Sequence, residues 1–237
     1  MVDILAFGIH PDDIELSCSG TLLKHIAAGY SVGIIDLTKG ELGTRGTAEL
    51  RLQEATAAAK ILGVQFRENL GFQDGFFRND KENQYKIIEK IRQYRPKIVL
   101  CNAISDRHPD HGRAAQLVSE ACFYAGLSKI ETAYNKEIQD AYRPKAVYHY
   151  IQDRQLKPDF VVDISAFMDK KIEAIMAFSS QFFNLNSTEP VTPISSPEFI
   201  ETVKGKNRTF GREILVEFAE GFTVERNIGV EDLLSLK

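Results

Sequence analysis

The fold class is predicted by residues 2–37, VDILAFGIHPDDIELSCSGTLLKHIAAGYSVGIIDL, because they indicate a strand, a helix and a second strand in succession. Val2–Gly8 is a short apolar run, which is typical of a buried strand. Leu16–Ala28 carries apolar residues at helical spacing and is followed by Gly29, a residue type that commonly ends a helix. Ser31–Leu37 is again an almost continuous apolar run. Strands of this kind are covered on both faces, as in a parallel sheet.

The same alternation continues over the first half of the chain. Further strands are predicted at Val64–Leu70 and Lys97–Ala103, and further helices at Thr47–Leu62, Tyr85–Tyr94 and His111–Ala125. This βαβαβαβα order predicts an α/β fold with a mostly parallel sheet and helices on both of its faces.

The pattern changes in the second half of the chain. Strands are predicted at Lys145–Ile151 and Phe160–Ile164, helices at Ser165–Phe178 and Pro197–Arg212, and a loop at Asn184–Pro197. We interpret this part as a C-terminal α+β elaboration that covers one end of the sheet. A chain of 237 residues can build one large core, so we expect a single domain over residues 1–237.

Composition narrows the class of protein. The net charge of −4 and the pI of about 5.8 argue against a nucleic-acid partner, which favours a concentrated basic surface. Three cysteines without a Cys-x-x-Cys pair argue against a disulfide framework. The sequence shows neither a signal-peptide pattern nor an apolar stretch of membrane-spanning length, so we expect a cytoplasmic protein without a membrane partner.

Two clusters of histidine and aspartate follow predicted strands. His10-Pro11-Asp12-Asp13-Ile14-Glu15 comes after the first strand, and Asp106-Arg107-His108-Pro109-Asp110-His111 comes after the fourth. Open parallel sheets bind ligands beyond the carboxyl ends of their strands, so the two clusters can converge there. Either cluster alone would be as typical of a helix cap or a surface turn, and their combination favours a functional site.

Three residues of these clusters match a catalytic zinc site. Zinc takes imidazole nitrogen and carboxylate oxygen, and a catalytic zinc keeps three protein ligands and one open position. We expect His10, Asp13 and His111 to be those ligands. Other divalent metals such as Fe²⁺ accept the same set, although the neighbouring proton-transfer groups favour hydrolysis over oxygen chemistry.

The remaining residues of the clusters suit proton transfer. Asp12 lies beside the metal but outside its ligand set, where it can accept a proton from water. His108 can donate a hydrogen bond from the opposite side, and Asp110 can orient His108 or keep it charged. His25 and His149 have no ligand partners nearby in sequence and are expected to be structural.

The segment Thr38–Thr47 contains three glycines after the second strand, which permit close backbone approach to a ligand. Arg51, early in the next helix, is expected to face the same end of the sheet. The segment does not match a phosphate-binding P-loop, and no Gly-x-Gly-x-x-Gly follows the first strand, so a dinucleotide cofactor is not supported.

The two histidine motifs together resemble those of the metal-dependent de-N-acetylases of the LmbE/PIG-L family. Within that family the chain is most similar to the bacillithiol-biosynthesis branch. That similarity rests on Gly40–Thr47, Arg51, Glu54-Ala55, Ser180-Gln181-Phe182 and Glu220-Gly221-Phe222.

The resemblance implies a Rossmann-like fold and one zinc per chain on His10, Asp13 and His111. It implies that Asp12 is the general base and that His108, supported by Asp110, stabilises the oxyanion. It implies N-acetylglucosaminyl malate as substrate and a homo-oligomer, often a hexamer. It places Arg51 and Arg107 at the substrate site. Arg45, Arg51 or Arg107 could pair with the malate carboxylates, since guanidinium matches carboxylate geometry, and Glu15 is also expected to contact the substrate.

Two alternatives remain open at this point. The chain could deacetylate another N-acetylated sugar or amide conjugate, such as a chitooligosaccharide or a mercapturate-type compound. It could also be a non-catalytic protein that binds a metal or a sugar. Asp12 argues against the second alternative, because pure binding does not need a base beside three ligands.

Overall fold

A mixed β-sheet forms the centre of the computed structural model, which describes residues 1–236. The strands in chain order are β1 (Ile4–Gly8), β2 (Val32–Thr38), β3 (Phe66–Phe72), β4 (Ile98–Cys101), β5 (Ala133–Tyr134), β6 (Glu137–Ile138), β7 (Ala146–Tyr150), β8 (Phe160–Asp163) and β9 (Ala219–Val224). The helices are α1 (Asp13–Ser17), α2 (Ser19–Ala27), α3 (Ala48–Leu62), α4 (Lys81–Tyr94), α5 (Pro109–Ala125), α6 (Met168–Met176) and α7 (Phe199–Glu213).

Seven strands make up the main sheet in the order β3-β2-β1-β4-β7-β9-β8. The first five of these are mutually parallel, and β9 runs antiparallel to both β7 and β8. The prediction of a mostly parallel α/β sheet is confirmed. Strands β5 and β6 form a separate antiparallel hairpin that the sequence did not predict.

Both faces of the sheet are covered, as the apolar strands predicted. Strand β1 is buried along its whole length. Its Leu5 and Phe7 pack in one core with α4 and α5, whereas Ile4 and Ala6 pack in a second core with α2. Successive side chains of a strand point to opposite faces, so one strand serves both cores. No helix within residues 1–236 combines the length and apolarity needed to cross a bilayer.

Several predicted bounds differ from the structure. The helix predicted at Leu16–Ala28 is two helices, α1 and α2, which meet at Cys18 with a φ of −136°. Helices α4 and α5 begin earlier than predicted. Strand β9 was missed because its sequence AEGFTV contains a charged residue and a glycine, which usually weaken a strand.

The charged residue in β9, Glu220, forms a buried ion pair that ties three elements together. Its Oε1 lies 2.6 Å from Nζ of Lys171 in α6, and both side chains are almost fully buried. The same carboxylate accepts hydrogen bonds from the backbone N–H groups of Gly20 and Thr21, at 2.9 and 2.7 Å. It thereby caps the first turn of α2, which has no side-chain cap of its own.

The strand order also determines where a ligand can bind. The chain runs from β1 outward to β2 and β3 on one side, and then returns to β4 on the other side of β1. The connections after β1 and β4 therefore leave the sheet in opposite directions. In open parallel sheets this switch point creates a crevice beyond the carboxyl ends of the strands.

The buried pair predicts a large effect on stability. We expect Glu220→Ala to lower the free energy of unfolding by about 3–5 kcal/mol, because it leaves the Lys171 charge buried without a partner. Urea denaturation measures the change. The control is Glu217→Ala, since Glu217 pairs with Arg208 at an exposed site and such a pair contributes at most about 1 kcal/mol. Equal effects of the two substitutions would contradict this account of the pair.

Candidate active site

A pocket of about 330 Å³ lies at the switch point, within the size range of small-molecule sites. It brings together most of the residues that the sequence predicted for the site. The predicted residues that line it are His10, Asp12, Asp13, Arg45, Arg51, Arg107, His108 and His111. Glu15 and Asp110 do not line it.

His10 and His111 both direct a ring nitrogen at the carboxylate of Asp13. Nε2 of His111 lies 3.4 Å from Oδ1, and Nδ1 of His10 lies 3.8 Å from Oδ2. The opposite ring nitrogens face other carboxylates: Nδ1 of His111 lies 2.5 Å from Asp106, and Nε2 of His10 lies 3.0 Å from Asp74. Carboxylates in these positions fix the orientation of each ring, as they do for histidines that bind metals.

The Asp13 carboxylate is held from three sides. It accepts hydrogen bonds from Nδ2 of Asn102 at 2.9 Å, Nε2 of Gln152 at 2.5 Å and the backbone N–H of His10 at 3.0 Å. Burial would raise its pKa, but His111 and His10 hold that pKa well below its ordinary value. Asp13 is therefore ionised and fixed in place.

This donor set fits a divalent cation. Two buried imidazoles each lie within 4 Å of one oxygen of the same ionised carboxylate, and the histidines are already oriented from behind. Burial alone would lower the pKa of both imidazoles. The surrounding carboxylates outweigh it, raising the pKa of His111 to about 9 and that of His10 well above its ordinary value. A site that stabilises positive charge so strongly can hold a cation in place of those protons.

Asp12 adopts a backbone conformation that is rare for a residue with a side chain, with a φ of 123°. Such strain clusters at functional sites, where the surrounding structure fixes it. One carboxylate oxygen of Asp12 lies 2.6 Å from Nη2 of Arg51. Burial raises the pKa of Asp12 to about 6, and the charge of Arg51 opposes that shift. Asp12 can therefore both release and accept a proton near neutral pH.

Gly40, in the loop after β2, leaves space for the side chain of Arg51. Gly40 has a φ of 65°, and a Cβ there would lie 2.0 Å from Nη1 of Arg51. Glycine is required because the guanidinium passes directly over the backbone, and Nη1 also donates to the Gly40 carbonyl oxygen at 3.4 Å. At Gly40 the close approach is to a side chain of the protein. The sequence had predicted an approach to a ligand.

His108 is the N-cap of α5. Its Nδ1 accepts a hydrogen bond from the backbone N–H of Asp110 at 3.2 Å. Burial and the charges of His10 and His111 lower the pKa of His108. In the neutral ring, the proton must then lie on Nε2, since Nδ1 acts as an acceptor. His108 can donate a hydrogen bond without being protonated, so of the two effects expected of Asp110 the charged form of His108 is not needed.

The sequence predicted that Asp110 orients His108, but no side-chain hydrogen bond or ion pair joins the Asp110 carboxylate to that ring. It accepts a hydrogen bond from the backbone N–H of Gly75 at 3.0 Å, and its Oδ2 lies 3.6 Å from Nε2 of His10. Its position in the first turn of α5 turns the carboxylate away from the cap residue. Asp110 therefore contacts His108 through its backbone and His10 through its side chain.

The prediction that Glu15 contacts the substrate is wrong. Glu15 is fully buried, and its Oε1 lies 2.6 Å from Nη1 of Arg67, which also binds Asp36. Glu15 and Asp13 are two residues apart in α1, and residues at this spacing point to nearly opposite sides of a helix. Asp13 faces the pocket, so Glu15 faces the core.

Four residues around the predicted ligands were not assigned a role from the sequence. Each follows the carboxyl end of a parallel strand: Asp74 after β3, Asn102 and Asp106 after β4, and Gln152 after β7. Strand ends were therefore the signal that could have found them. His149, expected to be structural, lies outside the pocket lining and binds Glu225 and the carbonyl oxygen of Asn102, both at 2.9 Å.

The chain is similar in sequence to several known proteins. Residues 5–122 match the family PIG-L, described as GlcNAc-PI de-N-acetylase. The chain is 33% identical over 189 residues to diacetylchitobiose deacetylase from Thermococcus kodakarensis, covering 76% of this chain and 70% of that protein. It is 27% identical to 4-oxalmesaconate hydratase from Pseudomonas putida, and the match covers 75% of this chain and 73% of that protein. It is 24% identical to a probable N-acetyl-alpha-D-glucosaminyl L-malate deacetylase 2 from Bacillus anthracis, and the match covers 73% of this chain and 78% of that protein.

A solved structure shares the whole fold. The conserved protein TT1542 from Thermus thermophilus is 37% identical and superposes with a TM-score of 0.85 over 98% of each chain. Together with the deacetylase relative at 33% identity, these matches show that the chain is a member of the PIG-L family of metal-dependent de-N-acetylases.

Proposed function

We propose that this enzyme removes the N-acetyl group from an N-acetylglucosaminyl conjugate by metal-dependent hydrolysis. One observation carries the proposal: two oriented imidazoles and the ionised Asp13 converge beside Asp12 in a pocket of small-molecule size. A protein that only binds a metal or a sugar does not need a strained, buried carboxylate at that position.

In this proposal His10, Asp13 and His111 hold one Zn²⁺ per chain, and Fe²⁺ is the main alternative, because both metals accept this donor set. A divalent cation held there polarises the acetamide carbonyl and makes the attacking water more acidic. Asp106 and Asp74 keep the two imidazoles in the orientation that this requires.

Asp12 is proposed as the general base. Its carboxylate lies in the pocket, and its pKa of about 6 leaves it mostly ionised at neutral pH. It can therefore take a proton from water and return it to the amine that leaves. Arg51 lies 2.6 Å from the carboxylate and orients it, and its positive charge limits the rise in the pKa of Asp12.

His108 is proposed to stabilise the oxyanion that forms on the acetamide. Its Nδ1 is engaged by the backbone of Asp110, which leaves the Nε2–H group as a hydrogen-bond donor. A single donor of this kind commonly contributes about 100- to 1000-fold in rate.

N-Acetylglucosaminyl malate is our first candidate substrate, and a chitooligosaccharide is the second. The Bacillus anthracis relative supports the first, and the Thermococcus kodakarensis relative supports the second. Further predictions stand beside this proposal: a single domain over residues 1–237, a cytoplasmic location, and a homo-oligomer such as a hexamer.

The division of roles predicts different losses in different variants. We expect His111→Ala to lose bound metal, whereas Asp12→Asn keeps metal and loses about 100- to 10,000-fold in acetate release, the usual contribution of a general base. We expect His108→Ala to keep metal as well. Elemental analysis of the purified variants measures the metal. Loss of metal from Asp12→Asn or from His108→Ala would show that the substituted residue belongs to the ligand set.

A substrate panel tests the proposed reaction. We expect acetate release from N-acetylglucosaminyl malate to exceed that from diacetylchitobiose and free N-acetylglucosamine, and to disappear after chelation and return with Zn²⁺. Preference for diacetylchitobiose would select the second candidate. Hydration of 4-oxalmesaconate without acetate release from any amide would contradict the proposed function.

A further inference from the structure

One face of helix α7 lines the pocket. Phe199, Thr202, Val203 and Lys206 contribute to the lining, at the spacing i, i+3, i+4 and i+7 that places residues on one side of a helix. Lys206 is the only charged residue among them. No role was predicted for Lys206 from the sequence.

Other basic residues of α7 are paired away from this face. Lys204 lies 2.8 Å from Glu201, and Arg208 lies 3.4 Å from Glu217. For Lys206, no hydrogen bond or ion pair within 4 Å is formed with any residue in the described range 1–236. Lys206, on the pocket side of α7, therefore has no close partner among these residues.

The arginines of the pocket are already engaged. Arg51 binds Asp12 at 2.6 Å, and Arg45 donates from Nη2 to Ser187 at 2.6 Å. Arg107 forms a short hydrogen bond with Asp153. A substrate anion would have to compete with these contacts, but it would not have to compete at Lys206.

Leaving a lysine half-buried and unpaired is unfavourable. Burial, and then the charge of Lys171, lower the pKa of Lys206 to about 8, while Asp153 and Asp106 oppose that shift from a distance. An anion bound beside the ammonium group would offset the desolvation of both charges. The pocket is thus better suited to a ligand that brings a negative charge than to a neutral one.

We propose that Nζ of Lys206 binds a carboxylate on the part of the substrate attached to the N-acetylated sugar, and that it selects anionic conjugates over neutral saccharides. This inference rests on the proposed deacetylase function. Discrimination arises because a neutral substrate would cover Lys206 without supplying a partner, whereas a carboxylate forms a charge-assisted hydrogen bond. Arg45, Arg51 and Arg107 are then secondary contacts of that carboxylate.

The test compares an anionic substrate with its neutral counterpart. We expect Lys206→Met to lower kcat/KM for N-acetylglucosaminyl malate about 10- to 100-fold more than for its dimethyl ester, the range for one hydrogen bond to a charged group. The loss should lie mainly in KM, and Lys206→Arg should restore part of it. Lys204→Met, on the paired face of the same helix, is the matched control and should match wild type with both substrates.

Equal losses on the two substrates, or no loss on either, would overturn the role of Lys206. Calorimetric binding of glucosaminyl malate, the expected product, separates this inference from the proposed function, because it needs no turnover. If wild type deacetylates neither substrate, the proposed function fails. In that case, at least about 10-fold weaker binding by Lys206→Met still supports the inference, and equal binding overturns it.

Discussion

The arrangement of the whole site depends on burying the carboxylate of Asp13 at the ends of three parallel strands. An ionised carboxylate is costly to remove from water unless its oxygens are satisfied. Here the amides of Asn102 and Gln152 and the imidazole of His111 satisfy them, from the connections after β4 and β7 and from α5. These donors meet only if β1, β4 and β7 lie side by side and end together. The site therefore depends on this strand order, because only this order brings the donors to the Asp13 carboxylate.

The charged groups around this carboxylate are organised in pairs, and each pair removes freedom from a reacting group. Asp106 and Asp74 fix the two imidazoles, and Arg51 fixes Asp12. Groups that are held before the substrate arrives do not have to reorganise during the reaction. Lys206 is the contrasting case, because its contribution requires a charge that the substrate must bring. The same pocket thus combines a preorganised reaction centre with a lysine that can bind the charged part of the substrate.

The sequence predicted the parallel sheet and the reacting residues because both are encoded locally. Apolar runs mark the strands, and His10, Asp12 and Asp13 follow one of them directly, as His108 and His111 follow another. Residues whose role depends on distant partners were misassigned or missed. Glu15 belongs to the same short motif but points to the core, where Arg67 of β3 neutralises it. Gln152 and Asp74 carry no motif, and Glu220 made β9 unrecognisable until its partner Lys171 was known.

The central claim is that His10, Asp13 and His111 surround one cation at the ends of β1 and β4. An anomalous-scattering map from crystals of the zinc-loaded protein tests it most directly. We predict a single peak per chain bound by Nδ1 of His10, the Asp13 carboxylate and Nε2 of His111, with no fourth protein ligand. A peak bound by His108 in place of Asp13, or one outside this pocket, would contradict the account.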